Sequence, residues 1–343
     1  MFKFVSRKFH LSWVVVGVCI GVVVWAILRM IFLSGVSIND NSLAGQDAII
    51  LMRNFFAERI KALIPEPEVN LGLSYLLGMR TGLPKDLNEN LKIVGLVHIV
   101  VASGAHLSIL VDIARKIFGK VSRFLGLSFS IGFVIFFMSV VGWTPSIMRA
   151  GLMTILTLSA WYVGRKFEPW RLILIVAAIT LIINPDYIIN LGWLLSFASY
   201  AGIMMLGPKL TKFFYGEKKP GFIGAMVLTT ISATLMTLPI TLYFFGTISL
   251  ISLIANLLIL PTLPYAMGLV FLTGVLAGVP IVGETAAFIA TKLLDFHILV
   301  IEFFGSMKSF LIQIEPGNLS VFLIYALIVV FMIKLKGGFN IKF

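Results

Sequence analysis

Cysteine and charge are what this sequence has least of. Its 343 residues hold one cysteine, Cys19, inside the first apolar run, so neither a disulfide framework nor a cysteine-based metal site is available. Charged residues make up 12% of the chain, where soluble domains run at about 25%. With 59% hydrophobic residues and a mean hydropathy of +1.04, that excludes an ordinary soluble domain. Acidic residues are the scarcer sign, 15 against 27 lysines and arginines, for a formal charge of +12. Basic loops that fix membrane topology account for much of this by default, so charge alone establishes no nucleic-acid partner. No G-x-x-x-x-G-K-[ST] phosphate loop occurs, which removes a nucleotide-driven motor of that type. Internal repeats of the kind common in transporters are not visible either.

What is present is a succession of apolar runs of bilayer length. Lys3, Arg7 and Lys8 precede a run over 11–33, broken only by Arg29, which is close enough to its end to snorkel. That run of 23 residues is long enough to span, exceeds a signal-peptide core and lacks an A-x-A cleavage site. Residues 1–33 therefore read as an uncleaved anchor with a cytoplasmic N-terminus. Residues 34–94 form a short extracytoplasmic segment, smaller than a typical domain of about 100–150 residues. Within it Ile49, Met52, Phe56, Ile60 and Leu63 recur at helical spacing opposite Arg53, Glu58, Arg59 and Lys61. This predicts an amphipathic helix over 47–64, lying on the membrane or on the protein and ended by Pro65-Glu66-Pro67.

Residues 95–343 read as one multi-span domain. Basic loops at 112–123, 164–166 and 209–219 alternate with the uncharged turn Trp143-Thr144-Pro145 and with Asn184-Pro185-Asp186, the positive-inside pattern. The run 222–245 contains Pro239, where a kink is expected. The stretch 248–277 is interrupted by Asn256, Pro261 and Pro264 and is either one long kinked helix or two short ones. Residues 285–304 carry Lys292, Asp295, His297 and Glu302, and either face a polar interior or lie at the interface. A last span over 319–333 leaves the C-terminus in the cytoplasm. The fold class is thus an all-α polytopic membrane protein, a bundle of about nine to eleven transmembrane helices with one interfacial helix.

Polar residues inside apolar runs are costly and read as functional by default. The stretch 95–106, G-L-V-H-I-V-V-A-S-G-A-H, carries two of the four histidines, His98 and His106, with Ser103 and Gly104 between them. Zinc needs three or four ligands, and no nearby Cys, Asp or Glu supplies them, so neither a metal nor another cofactor is expected. Interhelical glue, a polar pore lining and an intramembrane Ser-His hydrolase all remain open for this cluster. Arg149 stands near the start of a span and either snorkels outward or faces the interior. Ser196 and Asn256 are helix glue or part of the same polar path.

Five ordered stretches carry a family resemblance: L-L-G-M-R-T-G-L-P-K-D-L (76–87), G-L-V-H-I-V-V-A-S-G-A-H (95–106), P-S-I-M-R-A-G-L-M (145–153), N-L-G-W-L-L-S-F (190–197) and L-P-I-T-L-Y-F-F-G-T-I-S-L-I-S-L-I-A-N-L-L-I-L-P (238–261). In order and spacing the chain resembles the ComEC/Rec2 family, the inner-membrane channel of bacterial DNA uptake. The resemblance implies a channel, not an enzyme, that carries single-stranded DNA into the cytoplasm during natural transformation. It puts motif residues at Gly95, Leu96, His98, Ser103, Gly104 and His106, at Ser146, Arg149, Ala150 and Gly151, and at Gly192 to Phe197 with Ser196 among them. Leu194 stands where the family often has glutamine, which removes one polar group from the implied pore.

Full-length members also carry an OB-fold-like domain and a metallo-β-lactamase-like nuclease domain. The interval 34–94 is too short for the first, and no H-x-H-x-D-H run marks the second, so a minimal, channel-only member without nuclease activity is expected. A separate nuclease, an extracytoplasmic DNA receptor and a cytoplasmic helicase-type motor are the implied partners, beside single-stranded DNA and membrane lipids. The path lies within one protomer or between two of a homodimer. The rival reading is an intramembrane hydrolase or small-solute transporter built on His98, Ser103 and His106.

Overall fold

A computed structural model of the protein describes residues 7–8, 46–79, 82–96, 123–249, 251–307, 311–313, 324–328 and 330. The expected membrane run at 11–33 and residues 97–122 lie outside the described residues, as does most of the expected last span. The chain is built from α-helices, with two short strand pairings.

The 3.6-residue period over 47–64 gives α1 (Gln46–Lys61). It buries Ala57 and Ile60, with Ile64 just beyond its end, and leaves Leu51 and Phe55 exposed, so its apolar surface exceeds what the core covers. Next come α2 (Glu68–Leu77) and α3 (Lys85–Ile93). Every residue of α2 after Glu68 is buried, as expected of a helix apolar nearly all round. In α3 only Leu87 and Leu91 are buried, one turn apart on an otherwise polar helix.

Then follow α4 (Arg123–Val141), α5 (Pro145–Tyr162), α6 (Pro169–Ile183), α7 (Leu191–Met205), α8 (Gly207–Tyr215) and α9 (Phe222–Phe245). Proline at the first position of α5 and α6 fixes φ where no intrahelical N–H is needed. Asn190 caps α7, its Oδ1 accepting from the Trp193 N–H at 3.2 Å. Helix α9 continues across Pro239 without a break.

Of the two readings of 248–277, the structure has two short helices, α10 (Ser252–Ile259) and α11 (Leu263–Leu276), meeting at 48°. Pro261 lacks the N–H that would continue the ladder. Just past it, Thr262 donates to the Ile259 carbonyl from both its N–H, at 3.1 Å, and its Oγ1, at 3.0 Å. The long helix α12 (Val282–Gly305) packs back along α11. Among the described residues, three helical segments are long and apolar enough to cross a bilayer (Phe124–Val141, Leu191–Tyr215 and Phe222–Phe245), or four if α10 and α11 make one broken span. The expected total of nine to eleven also drew on 11–33, 95–111 and 319–333, which fall largely outside them, and on 146–163, 172–183 and 285–304, which are helical but not among these segments.

Two groups of helices share the interior. One core joins α1, α2 and α3 to α10, α11 and α12, so residues 57–96 pack against 255–301. The other runs α4–α5–α6–α7–α9 through a chain of smaller cores. In lipid, apolar burial gives helices little reason to associate, so close approach and polar contacts hold such seams. Gly202 of α7 shows the first: its Cα lies against the Ser232 backbone of α9 with no room for a side chain.

The strands are β1 (Arg7–Lys8) parallel to β2 (Arg165–Lys166), and β3 (Thr247–Ser249) antiparallel to β4 (Leu311–Gln313). The first pairing brings two basic segments together, at ends that the loop-charge pattern assigns to one side of the membrane.

Candidate functional site

Ser146, Arg149 and Met153 step by three and four along α5, and Gly192, Ser196 and Tyr200 step by four along α7, so each set occupies one helix face. The two faces meet. Ser146 Oγ donates to the Gly192 carbonyl at 3.2 Å. Arg149 Nε donates to Ser196 Oγ at 2.6 Å, its Nη1 reaches Met153 Sδ at 3.4 Å, and its guanidinium carbon stands 5.5 Å from the centre of the Tyr200 ring. Four of the sequence-derived site residues, Ser146, Arg149, Gly192 and Ser196, are thereby assembled in a single seam.

Local packing explains the small residues beside them. A Cβ on Gly192 would lie 3.2 Å from Asn190 Oδ1, the oxygen that caps α7. Glycine there keeps the cap and the approach to Ser146. Ala150 is buried, and Gly151 receives the Met138 thioether of α4. Trp193 ties the seam to α6: its indole N–H donates to Thr180 Oγ1 at 3.0 Å, and its ring stacks on Phe197 with centroids 4.3 Å apart.

The electrostatics single out Arg149. Buried Arg171 has a carboxylate, Glu168, at 3.1 Å. Half-buried Arg149 has none within ion-pair distance among the described residues. A guanidinium offers five N–H donors in a planar fork, and the contacts above engage two of its nitrogens. The seam therefore presents a fixed positive charge with free donor capacity beside an aromatic face. Chemically that suits an anion, and a phosphate most of all, because its oxygens match the fork.

Asn256 belongs to the other core. It is buried on α10, its Nδ2 donating to Ser252 Oγ at 3.3 Å, and its Oδ1 has no partner among the described residues. Gly95, at φ +73°, sits against the same Ser252, where an added Cβ would be 3.1 Å from its Cβ and Oγ. The 95–106 stretch thus starts beside Asn256, and Leu96 is already in the core. His98, Ser103, Gly104 and His106 lie outside the described residues. A third histidine, His297 of α12, is fully buried, with Nε2 2.8 Å from Thr262 Oγ1 and the ring edge-on to Tyr75. It lies at the break between α10 and α11 within the apolar core, its Nδ1 without a partner among the described residues, while Lys292 and Glu302 of the same helix are exposed. Among the described residues no three His, Cys, Asp or Glu side chains gather as a metal site.

Sequence reasoning passed over Tyr200 and Met153, although each lies four residues beyond a residue it named (Ser196, Arg149) and hence on the same helix face. Tyr75 and Thr262 had no such signal, because their partner His297 is remote in sequence.

Compared with known families, residues 75–338 match the family described as competence protein. The chain belongs to the competence family, the ComEC/Rec2 transmembrane domain. No curated protein and no solved structure matches it. The competence-family region opens within α2 and takes in every helix from α3 onward, so both the Arg149 seam and the Asn256 core fall inside it.

Proposed function

We propose that this competence-family membrane protein is a channel, not an enzyme, that passes single-stranded DNA into the cytoplasm during natural transformation, and that the α5–α7 seam is part of the path. The family match over residues 75–338 points to a role in DNA uptake. The observation that supports a strand contact here is Arg149, a cation held by Ser196, Met153 and Tyr200 with no carboxylate among the described residues. At the centre of a span an arginine costs about 2.5–3.5 kcal/mol by insertion scales; Arg149, near the start of α5, costs less, and no carboxylate among the described residues neutralises it. A passing phosphate would neutralise it, and Tyr200 offers a face to a base. His98, Ser103, His106, Ser146 and Asn256 complete the polar lining in this reading, and Gly104 lets the backbone bend among them.

Force and strand degradation come from other chains in this proposal: a cytoplasmic helicase-type motor and a separate nuclease, with DNA delivered by an extracytoplasmic receptor. The protein sits in the inner membrane with both termini in the cytoplasm. That orientation is supported by β1 pairing with β2, since it groups the N-terminal basic residues with the basic 164–166 loop.

The test is uptake of labelled double-stranded DNA by cells carrying the wild type, a deletion, His106→Ala or Arg149→Gln, with membrane levels of each protein measured in parallel. Deletion leaves the label outside, and both variants lower uptake at least about tenfold, the scale of one lost charged hydrogen-bond partner. Unchanged uptake on deletion, in a strain with no second copy, removes DNA import as the role.

A further inference from the structure

The α8 turn carries a feature that strand passage leaves unused. Helix α8 ends the Leu191–Tyr215 span, and 216–221 connects it to the Phe222–Phe245 span, so two candidate membrane crossings finish at one level. A cavity of about 520 Å³ opens there, lined by Thr211, Lys212, Glu217, Lys218, Lys219 and Thr229, with Ile203 and Leu228 on its apolar wall. Residues 207–220 hold four lysines and one acid, Glu217. Glu217 approaches Lys212 at 3.8 Å, with both side chains largely in solvent, which is too loose and too exposed to neutralise the site. Lys218 and Lys219 have no carboxylate partner among the described residues.

Apolar side chains outside its lining stand on the same two helices, α8 and α9. Phe213, Phe214, Phe222 and Ile223 are all more than 60% exposed. Large apolar side chains at the ends of two spans, next to lysines, are placed as interfacial anchors are, at headgroup depth. We infer that this cavity is a binding site for the headgroup of an anionic phospholipid, with Lys212, Lys218 and Lys219 on the phosphate and the Phe213, Phe214, Phe222 and Ile223 side chains against the acyl chains. Lysine is a strongly hydrated point charge suited to a phosphate that stays partly wet. The two threonines add hydroxyls, and the apolar wall receives the glycerol backbone. A nucleic-acid strand would meet the same lysines, but it would leave the exposed aromatic and aliphatic side chains of α8 and α9 uncovered. Lipid covers both.

The full-length protein is purified in detergent and exchanged into mixed micelles of phosphatidylglycerol and phosphatidylcholine. Retained lipid is then read by native mass spectrometry. Each lysine beside an anionic headgroup contributes about fivefold, so three set a ceiling on the order of a hundredfold. The wild type is expected to retain phosphatidylglycerol preferentially, and K212Q/K218Q/K219Q to lose at least about tenfold of that preference. The triple arginine variant keeps it, and R165Q/K166Q, which removes the same kind of charge from another loop, leaves it unchanged. Equal retention by the triple glutamine variant overturns the inference. So does an equal loss in R165Q/K166Q, which would make the effect bulk charge, or displacement of the lipid by millimolar inorganic phosphate. A single-stranded oligonucleotide that binds the wild type and not the triple variant, with lipid preference intact, would reassign the lysines to nucleic acid. None of these readouts depends on DNA uptake.

Discussion

Replacing Gly202 by alanine tests the seam on which the proposed path depends. An added Cβ would stand 2.7 Å from Met236 Cβ and nearer still to the Ser232 carbonyl oxygen of α9. Carbon–carbon contacts are optimal at about 3.5–4.0 Å, so α7 and α9 must part by roughly 1 Å. A gap of that size forfeits about a quarter to a half of each dispersion contact along the seam. The obstacle is backbone, which no rotamer relieves. Overpacking of this kind costs about 1–3 kcal/mol, and the alanine returns about 0.5–1 kcal/mol of helix propensity. The net loss, up to about 2.5 kcal/mol, corresponds to a fall of up to about 3–4 °C in the midpoint of a detergent-solubilised heating curve.

Two other glycines set the scale. Gly151 meets only the flexible Met138 side chain, and Gly132 has nothing within 4 Å. Gly151→Ala should stay within about 1 kcal/mol of wild type, and Gly132→Ala should hold or raise the midpoint. Similar shifts for Gly202→Ala and Gly132→Ala would refute the close α7–α9 approach. Since α7 also carries Ser196 and Tyr200, Gly202→Ala should lower DNA uptake at normal membrane level.

Three further outcomes follow from single contacts. Arg149→Lys keeps the charge but not the fork, so DNA uptake should fall between wild type and Arg149→Gln; uptake equal to wild type would reduce the site to a point charge. Thr262→Val leaves both nitrogens of buried His297 without a partner among the described residues, a cost of about 1–3 kcal/mol read as a lower midpoint, and His297→Ala in the same background should add less than it does alone. At the start of α2, outside the candidate spans, burial and the neighbouring Asp295 carboxyl raise the Glu68 pKa above its ordinary 4.5, with Lys292 acting in the opposite direction. A raised folded-state pKa means that stability is fully present below 4.5 and is lost as pH rises through the higher value. Glu68→Gln should flatten that segment of a stability–pH curve, and an unchanged slope would dissociate Glu68 from it.

The Asn256 core and the Arg149 seam were legible in the sequence to different depths. In the seam, the residues on each helix face could be read from period alone, because Ser146 and Arg149 share a turn of α5, as Gly192 and Ser196 share one of α7. Their meeting could not, since the contacts join positions 46 and 47 residues apart. Whether Arg149 snorkels or turns inward is likewise settled by the neighbour: Ser196 and Tyr200 supply a surface that no local pattern records. In the other core, Asn256 and the prolines at 261 and 264 marked an interruption without saying whether the helix bends or breaks. The pairing of Thr262 with His297 accompanies the break, and it depends on α12 returning along α11.

Membrane residence, helical class and family membership were determined by the sequence itself, because the bilayer acts on each segment separately and leaves its record in composition and period. Tertiary structure alone decided that 57–96 packs into one core with 255–301, and that a lone guanidinium faces a serine and a tyrosine across a seam. Those depend on which helix faces meet at close range, where the energies are short-ranged contacts between residues distant along the chain.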